Sequence, residues 1–210
     1  MLERAAGVCG VLAFATSTVA WLVGGLAQPD AYSTAGDDIS DLGAMTAHSA
    51  WIYNQVGANL TGILVALLGL GVWRALSPDV VGRLGAAALI AAGISTFFDG
   101  IFRLDCRGLD ASCDNVSWHS RAHKIESGFT AALTLLAPVI LAFAFRRNAV
   151  WRDSWLPSLL TVPAVIAANV VFSAIGEGAA TRAGTVVVFV WVAFVGLRLW
   201  QKAGAAPQPP

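Results

Sequence analysis

The chain offers few ionisable side chains, and the most suggestive of them lie in one stretch, Trp118-His119-Ser120-Arg121-Ala122-His123-Lys124-Ile125-Glu126-Ser127. On a helix turning about 100° per residue, His119 and His123 stand about 40° apart, and Glu126 falls about 20° to the other side of His119. The three side chains therefore form one stripe. Two imidazoles at i and i+4 can grip one divalent ion such as zinc, and a nearby carboxylate completes or orients the set. Asp105 is the candidate third ligand beside His119 and His123. The competing reading places these groups at the headgroup level, where histidines are wet and need no ion. Ser117 or Asn115 is positioned to cap the helix.

Asp99, in Phe97-Phe98-Asp99-Gly100, falls near the end of an apolar run. An ionisable group inside a membrane span costs roughly 3 kcal/mol, so Asp99 is expected to face the bundle interior or water, with a partner. Arg103 at i+4 and the histidines of the next span are the candidates. Asp99, Asp105 and Glu126 are the candidate catalytic carboxylates, with Asp99 or Glu126 as general base. Cys106 and Cys113 flank a short loop segment in which an oxidising compartment permits a disulfide; two free thiols are the alternative. Cys9 reads as a small packing residue. An earlier loop holds Tyr32-Ser33, Asp37-Asp38-Ile39-Ser40-Asp41-Leu42-Gly43 and His48. That cluster suits a cation or a polar headgroup, or is a plain acidic surface. Glu177 is positioned to join it.

The elements that must hold these groups are membrane helices. Of 210 residues, 57% are hydrophobic and only 12% charged, about half the charged fraction of a soluble domain. Disorder is excluded by the apolar content. Thirteen basic residues balance thirteen acidic ones without a basic stripe, which argues against a nucleic-acid partner. Six apolar runs approach the ~20 residues a spanning helix needs. They cover Ala5–Ala27, Trp51–Trp73, Leu84–Phe102, Ile125–Phe145, Leu156–Ile175 and Ala183–Leu199. They lack the two-residue alternation of a membrane barrel, and helices satisfy their own backbone groups in lipid. The first run is longer and less basic at its flank than a signal peptide, and reads as a retained helix.

The fold expected is thus all-α, a six-helix transmembrane bundle over residues 1–202 with a disordered tail at 203–210. Charge bias puts both termini in the cytoplasm. Arg4, Arg74, Arg83, Arg146, Arg147, Arg152, Arg198 and Lys202 then lie inside; Arg103, Arg107, Arg121, Lys124 and Arg182 lie outside. Trp51, Trp73, Trp118, Trp151, Trp155 and Trp200 sit near span ends as an interfacial belt. Asn59, Asn169 and Ser173 read as interhelical hydrogen-bonding groups, and Gly62, Gly69 and Gly71 as close-packing positions. No phosphate loop, nucleotide fingerprint, nucleophile elbow or His-Glu-x-x-His motif is present.

The chain resembles a family of bacterial and archaeal multi-pass membrane proteins known as domain of unknown function 998. The residues that carry the resemblance are Ile39-Ser40-Asp41-Leu42-Gly43, Gly100-Ile101-Phe102-Arg103-Leu104-Asp105, His119, His123, Gly178, Arg182 and Trp191. Arg103 and Ser120 stand where the family pattern often has proline and glycine. The resemblance implies six helices, favours Asp105, His119 and His123 over Asp99 and Glu126, and brings no activity. A weaker likeness links the Ile-Ser-Asp segment to eukaryotic six-span proteins of the autophagy-modulator and lipid-remodelling kind.

The leading functional expectation is a polytopic protein of the cell membrane whose outward-facing His/Asp site meets membrane lipids or a membrane-protein partner. The alternatives are a metal-dependent hydrolase acting on a lipid of the outer leaflet and a small transporter. In the hydrolase, His119, His123 and Asp105 would hold the ion.

Overall fold

A computed structural model describes residues 1–29 and 31–203. Among them are six helices long and apolar enough to cross a membrane. They are α1 (Leu2–Leu26), α2 (Ile52–Ala75), α3 (Val80–Asp99), α4 (Trp118–Arg147), α5 (Arg152–Ser173) and α6 (Glu177–Lys202). No strand occurs among the described residues. Of the tail expected at 203–210, only Ala203 falls within the described residues.

Each helix packs against its neighbours in sequence, and α6 returns to pack on α1, so the bundle is a closed ring. Six spans leave both ends of the chain on one side, here called the terminal end. The opposite side, the loop end, carries the two long connections, 27–51 and 100–117. At the terminal end the connections are short. Asp79 caps α3 by accepting from the backbone of Val81 and Gly82, at 3.3 and 3.0 Å. Arg83 lies over the Trp73 ring at 4.6 Å.

The two halves of the ring are packed differently. In the terminal half Leu68, Val72, Leu76, Leu89, Leu141, Phe145, Val195 and Leu199 are fully buried and form one core. Phe145 stacks on Trp151 with centroids 4.9 Å apart. Trp191 reaches across from α6 and donates to Ser158 Oγ at 3.0 Å. Small residues bring the backbones together, since lipid tails give helices no hydrophobic reason to associate. Where the two halves meet, Gly62 on α2 and Gly93 on α3 face each other so closely that a Cβ on Gly93 would lie 2.6 Å from the Gly62 carbonyl oxygen. Gly69 packs against Ile90 of α3, and Gly71 against Ala6 and Leu199.

The loop half is more open and more polar. Here α2 begins as a nine-residue π-helix, Ile52–Leu60, before tightening into α-helix. This wider winding is rare over such a length, and its hydrogen bonds reach one residue further than in the α form. Two span boundaries differ from the hydropathy reading. Helix α3 stops at Asp99 rather than Phe102, because Gly100 lies against the backbone of Asn54 and the Asn59 side chain. Helix α4 begins at Trp118, well before the apolar run, because Ser117 Oγ accepts from Ser120 N at 3.2 Å and caps a polar first turn.

The packing yields a paired prediction for thermal unfolding in detergent. Gly93→Val should destabilise the chain by roughly 1–3 kcal/mol, the usual cost of overpacking a tight contact. Gly128 on α4 has nothing within 4 Å of its added Cβ. Gly128→Ala should therefore leave stability unchanged or raise it by up to about 1 kcal/mol through helix propensity. Equal losses in both variants would contradict the α2–α3 contact described here.

Candidate functional site

The loops come first, because they roof the site. Ser40–Gly43 forms one turn of 3-10 helix with Asp41 and Leu42 buried. Its end is held by Arg103, which donates from Nε to the Gly43 carbonyl and from a terminal nitrogen to the Ala44 carbonyl, both at 3.0 Å. Asn54 on α2 donates to the same Gly43 oxygen at 3.0 Å. Asp41 Oδ1 accepts from Gly108 N at 3.1 Å, and Met45 N donates to the Leu104 carbonyl at 2.9 Å. Burial raises the Asp41 pKa above the ordinary carboxylate value. The two loops are thus one interlocked layer.

A second anchor comes from α6. Arg182, 4% exposed, donates to the Asp37 carbonyl at 2.8 Å and to its own helix at Gly178 at 3.0 Å, and also bonds the Tyr32 hydroxyl. Its guanidinium lies 5.8 Å from the Trp21 ring centroid. Gly178 has no room for a Cβ beside the Asp37 backbone and Arg182. Tyr32 is pushed up to about 12, chiefly by burial. In the second loop Cys106 and Cys113 form a disulfide. Asn115 bonds both backbone groups of Cys106 and accepts from Ser120 Oγ.

Under this roof lies a cluster of buried ionisable groups. His123 is 6% exposed and Glu126 is 7% exposed. His123 Nδ1 is 3.1 Å from Asp99 Oδ1 and 2.9 Å from the Phe102 carbonyl oxygen. A carbonyl can only accept, so Nδ1 carries the hydrogen, and in the neutral ring the free lone pair then sits on Nε2. Asp99 Oδ2 accepts from the Tyr53 hydroxyl at 2.9 Å. One Asp99 oxygen thus faces the imidazole and the other is held by Tyr53. Glu126 Oε1 accepts from Ser95 at 3.1 Å and from Thr130, while Oε2 is buried with no partner. Ser127 Oγ lies 3.5 Å from His123 Nε2.

Two cavities meet at this cluster. The inner one, about 380 Å³, is lined from all six helices, including Tyr53, Asp99, Glu126 and Thr185. The outer one, about 560 Å³, lies toward the loops between Asp37, Asp41, His123, Lys124 and Glu177. Asp38, Ser40 and Ser127 line both.

The sequence-derived residues separate accordingly. Asp99, His123 and Glu126 come together. His119 and Asp105 do not join them. His119 stacks on Trp118, with ring centroids 3.6 Å apart, at the rim of the helix. Four residues of helix place His123 about 6 Å deeper, which separates the two imidazoles along the axis. Asp105 is tied to the rim by Ser117 N at 2.9 Å, and its pKa is lowered chiefly by that hydrogen-bonding partner. The partner of Asp99 is His123 and not Arg103, whose guanidinium serves the first loop. Ile39, Ser40, Asp41 and Gly43 act in loop docking, and Ser40 also faces the cavities. His48 is held through its backbone by Gln28. Of the span amides and hydroxyl, only Asn59 bonds across helices, to the Phe97 carbonyl at 2.6 Å; Asn169 and Ser173 bond their own helix.

Sequence reasoning missed Tyr53 and the hydroxyl lining of Ser127, Thr130, Thr134, Thr181 and Thr185. A signal was present. Ser127, Thr130 and Thr134 recur on one face of α4, beside Glu126, within an otherwise apolar span.

The fold and this cluster define a six-span membrane protein whose buried ionisable groups are gathered in its loop half. The family described as "Protein of unknown function (DUF998)" matches residues 8–198, and the chain belongs to that family. No curated protein and no solved structure matches the chain.

Two outcomes test the loop anchors. Arg182→Ala removes charged hydrogen bonds worth about 1.5–3 kcal/mol each, and limited proteolysis should then cut the 27–51 loop far faster than in the native chain. The second concerns acid. The hydrogen bond from Arg107, 2.7 Å away, and a second from Thr46 hold Asp110 down to about 2. A depressed carboxylate stabilises the folded loop above its ordinary value of 3.8, and that contribution disappears as pH falls toward about 2. Pepsin cleavage of the second loop should rise over that interval, and the rise should be absent in Asp110→Asn.

Proposed function

We propose that the protein takes up an amphipathic membrane lipid. The polar head sits at Asp99, His123 and Glu126, and the chain runs along α4, α5 and α6. One observation carries this reading: the cavity changes character along its length. Its loop end bears Asp38, Ser40, Tyr53, Asp99 and Glu126, and its deeper end bears Leu135, Val165, Val188 and Phe189. At about 380 Å³ it lies within the range of small-molecule sites. Helix α5, which contributes Val165 and Asn169, is the least buried span, so the wall on that side is thin.

Topology follows from charge. Eight of the 13 basic residues lie at the terminal end or its connections and five toward the loop end, which favours cytoplasmic termini. The Cys106–Cys113 disulfide supports the same orientation, because such bonds persist in oxidising compartments. The site then opens to the outer leaflet of the cell membrane.

The metal-dependent hydrolase rests on one favourable feature. Donor atoms of Asp99, His123 and Glu126 lie within 4.8 Å of one another. However, Nδ1 is committed to Phe102, and Asp99 lies on that edge of the ring. Asp99 and the lone pair of Nε2 thus belong to different edges of the ring, whereas catalytic zinc sites bring three protein ligands to one point. We derive no step through a metal.

The lipid reading predicts that chain purified in mild detergent carries about one lipid per copy by native mass spectrometry. Thr185→Trp, which fills the cavity from α6 and leaves Asp99, His123 and Glu126 unsubstituted, should cut that occupancy at least tenfold. Native-like lipid retention in this variant would refute the reading. Chelator washing should change neither folding nor lipid content. One zinc per chain, lost in His123→Ala, would restore the metal reading.

A further inference from the structure

We propose that Ser127 is the nucleophile of an acyl-transfer site formed with His123 and Asp99, acting on a carboxylic ester of the lipid in the cavity. This rests on the lipid-binding reading above and names the chemistry of the same site.

The geometry meets three requirements of an activated serine. The base is oriented: Asp99 Oδ1 lies 3.1 Å from His123 Nδ1, and Tyr53 fixes the other oxygen of Asp99. The base is within reach of the nucleophile: His123 Nε2 is 3.5 Å from Ser127 Oγ, a length that tightens when substrate binds. The i, i+4 spacing puts both side chains on one face of α4. The nucleophile is also accessible: Ser127 is exposed and borders both cavities.

The other hydroxyls of α4 are already occupied. Ser120 donates to Asn115, Thr130 to Glu126 and Thr134 to backbone carbonyls of its own helix. Ser127 has only His123 as a hydrogen-bond partner among the described residues. Glu126 adds a buried acceptor, Oε2, that has no hydrogen-bond partner among the described residues.

The chemistry balances with water as the only co-reactant. Ser127 Oγ attacks the ester carbonyl carbon and gives its proton to His123 Nε2. The bond from that carbon to the alcohol oxygen breaks, and the departing alcohol takes the proton from Nε2. An acyl ester on Ser127 remains. Water, held at Glu126 Oε2, then gives a proton to Nε2 and attacks the same carbon. The Ser127 ester bond breaks, Oγ recovers the proton, and a carboxylic acid leaves. Asp99 is a positioning residue in both steps, since it acts on the reacting atoms only through the base.

The test is covalent labelling of the full chain in detergent with a long-chain alkyl fluorophosphonate, read by intact and peptide mass spectrometry. The expected result is one adduct per chain, on Ser127. Ser127→Ala should abolish the adduct and keep the co-purified lipid of the native chain. His123→Gln should slow labelling about 100-fold or more, the usual contribution of a general base. Lipid-loaded native chain that forms no adduct overturns the proposal, as does an adduct that survives in Ser127→Ala. Loss of lipid in Ser127→Ala would make Ser127 a headgroup contact and also overturn it. An adduct on Ser127 in native chain that carries no lipid would leave acyl transfer standing and remove the lipid-binding reading.

Discussion

A carboxylate cannot stand alone within a bilayer, and the loop half of this protein is organised by how Asp99 escapes that condition. His123 and Tyr53 take one oxygen each. The three side chains come from α3, α4 and α2, so a single buried contact sets the spacing of three helices. Removing one member of such a pair typically costs about 3–5 kcal/mol, because the charge left behind is uncompensated. The same contact fixes the imidazole and turns Nε2 away from Asp99. A structural necessity thereby prepares a base.

The ring of helices divides its work along the membrane normal. The terminal half is filled by leucine, valine and aromatic side chains, and glycine pairs bring the backbones close. The loop half exchanges that packing for hydroxyls, a π-helical opening of α2 and a cavity. Most cavity hydroxyls return a hydrogen bond to their own helix, as Thr96, Thr134, Thr181 and Thr185 do. They therefore soften the wall without leaving unsatisfied groups in lipid. A close-packed base beneath a more polar, cavity-bearing upper half suits the proposed uptake of a molecule from the bilayer.

Arg103 and Arg182 fasten the first loop by binding backbone carbonyls and not carboxylates. Arg103 reaches from the second loop to the end of the Ser40–Gly43 turn, and Arg182 reaches from α6 to Asp37. A guanidinium presents several donors in a fixed fork, so one side chain can satisfy carbonyls that a turn leaves open. Several residues that carry the family resemblance, among them Asp41, Gly43, Arg103, Gly178 and Arg182, belong to this fastening. The buried ionisable cluster sits one layer below, at Asp99, His123 and Glu126, with Ser127 beside it.

The amino-acid sequence alone determined the six spans, the shared end for both termini, the crowding of polar groups at the other end and the eligibility of Cys106 and Cys113 to pair. These follow from hydropathy and length, which are local properties. It also marked Asp99, His123 and Glu126, since a charged group in an apolar run needs a partner. Tertiary structure decided which partner. Helix periodicity put His119 and His123 on one stripe, but it says nothing of depth beneath the rim, and the second loop holds Asp105 at the rim with Ser117. Likewise Arg103 was in register with Asp99, yet the first loop offered it open carbonyls. Tyr53 and Ser127 looked ordinary in sequence. They matter because ring closure brings α2, α3 and α4 around one imidazole, and contacts between distant segments leave no trace in local spacing.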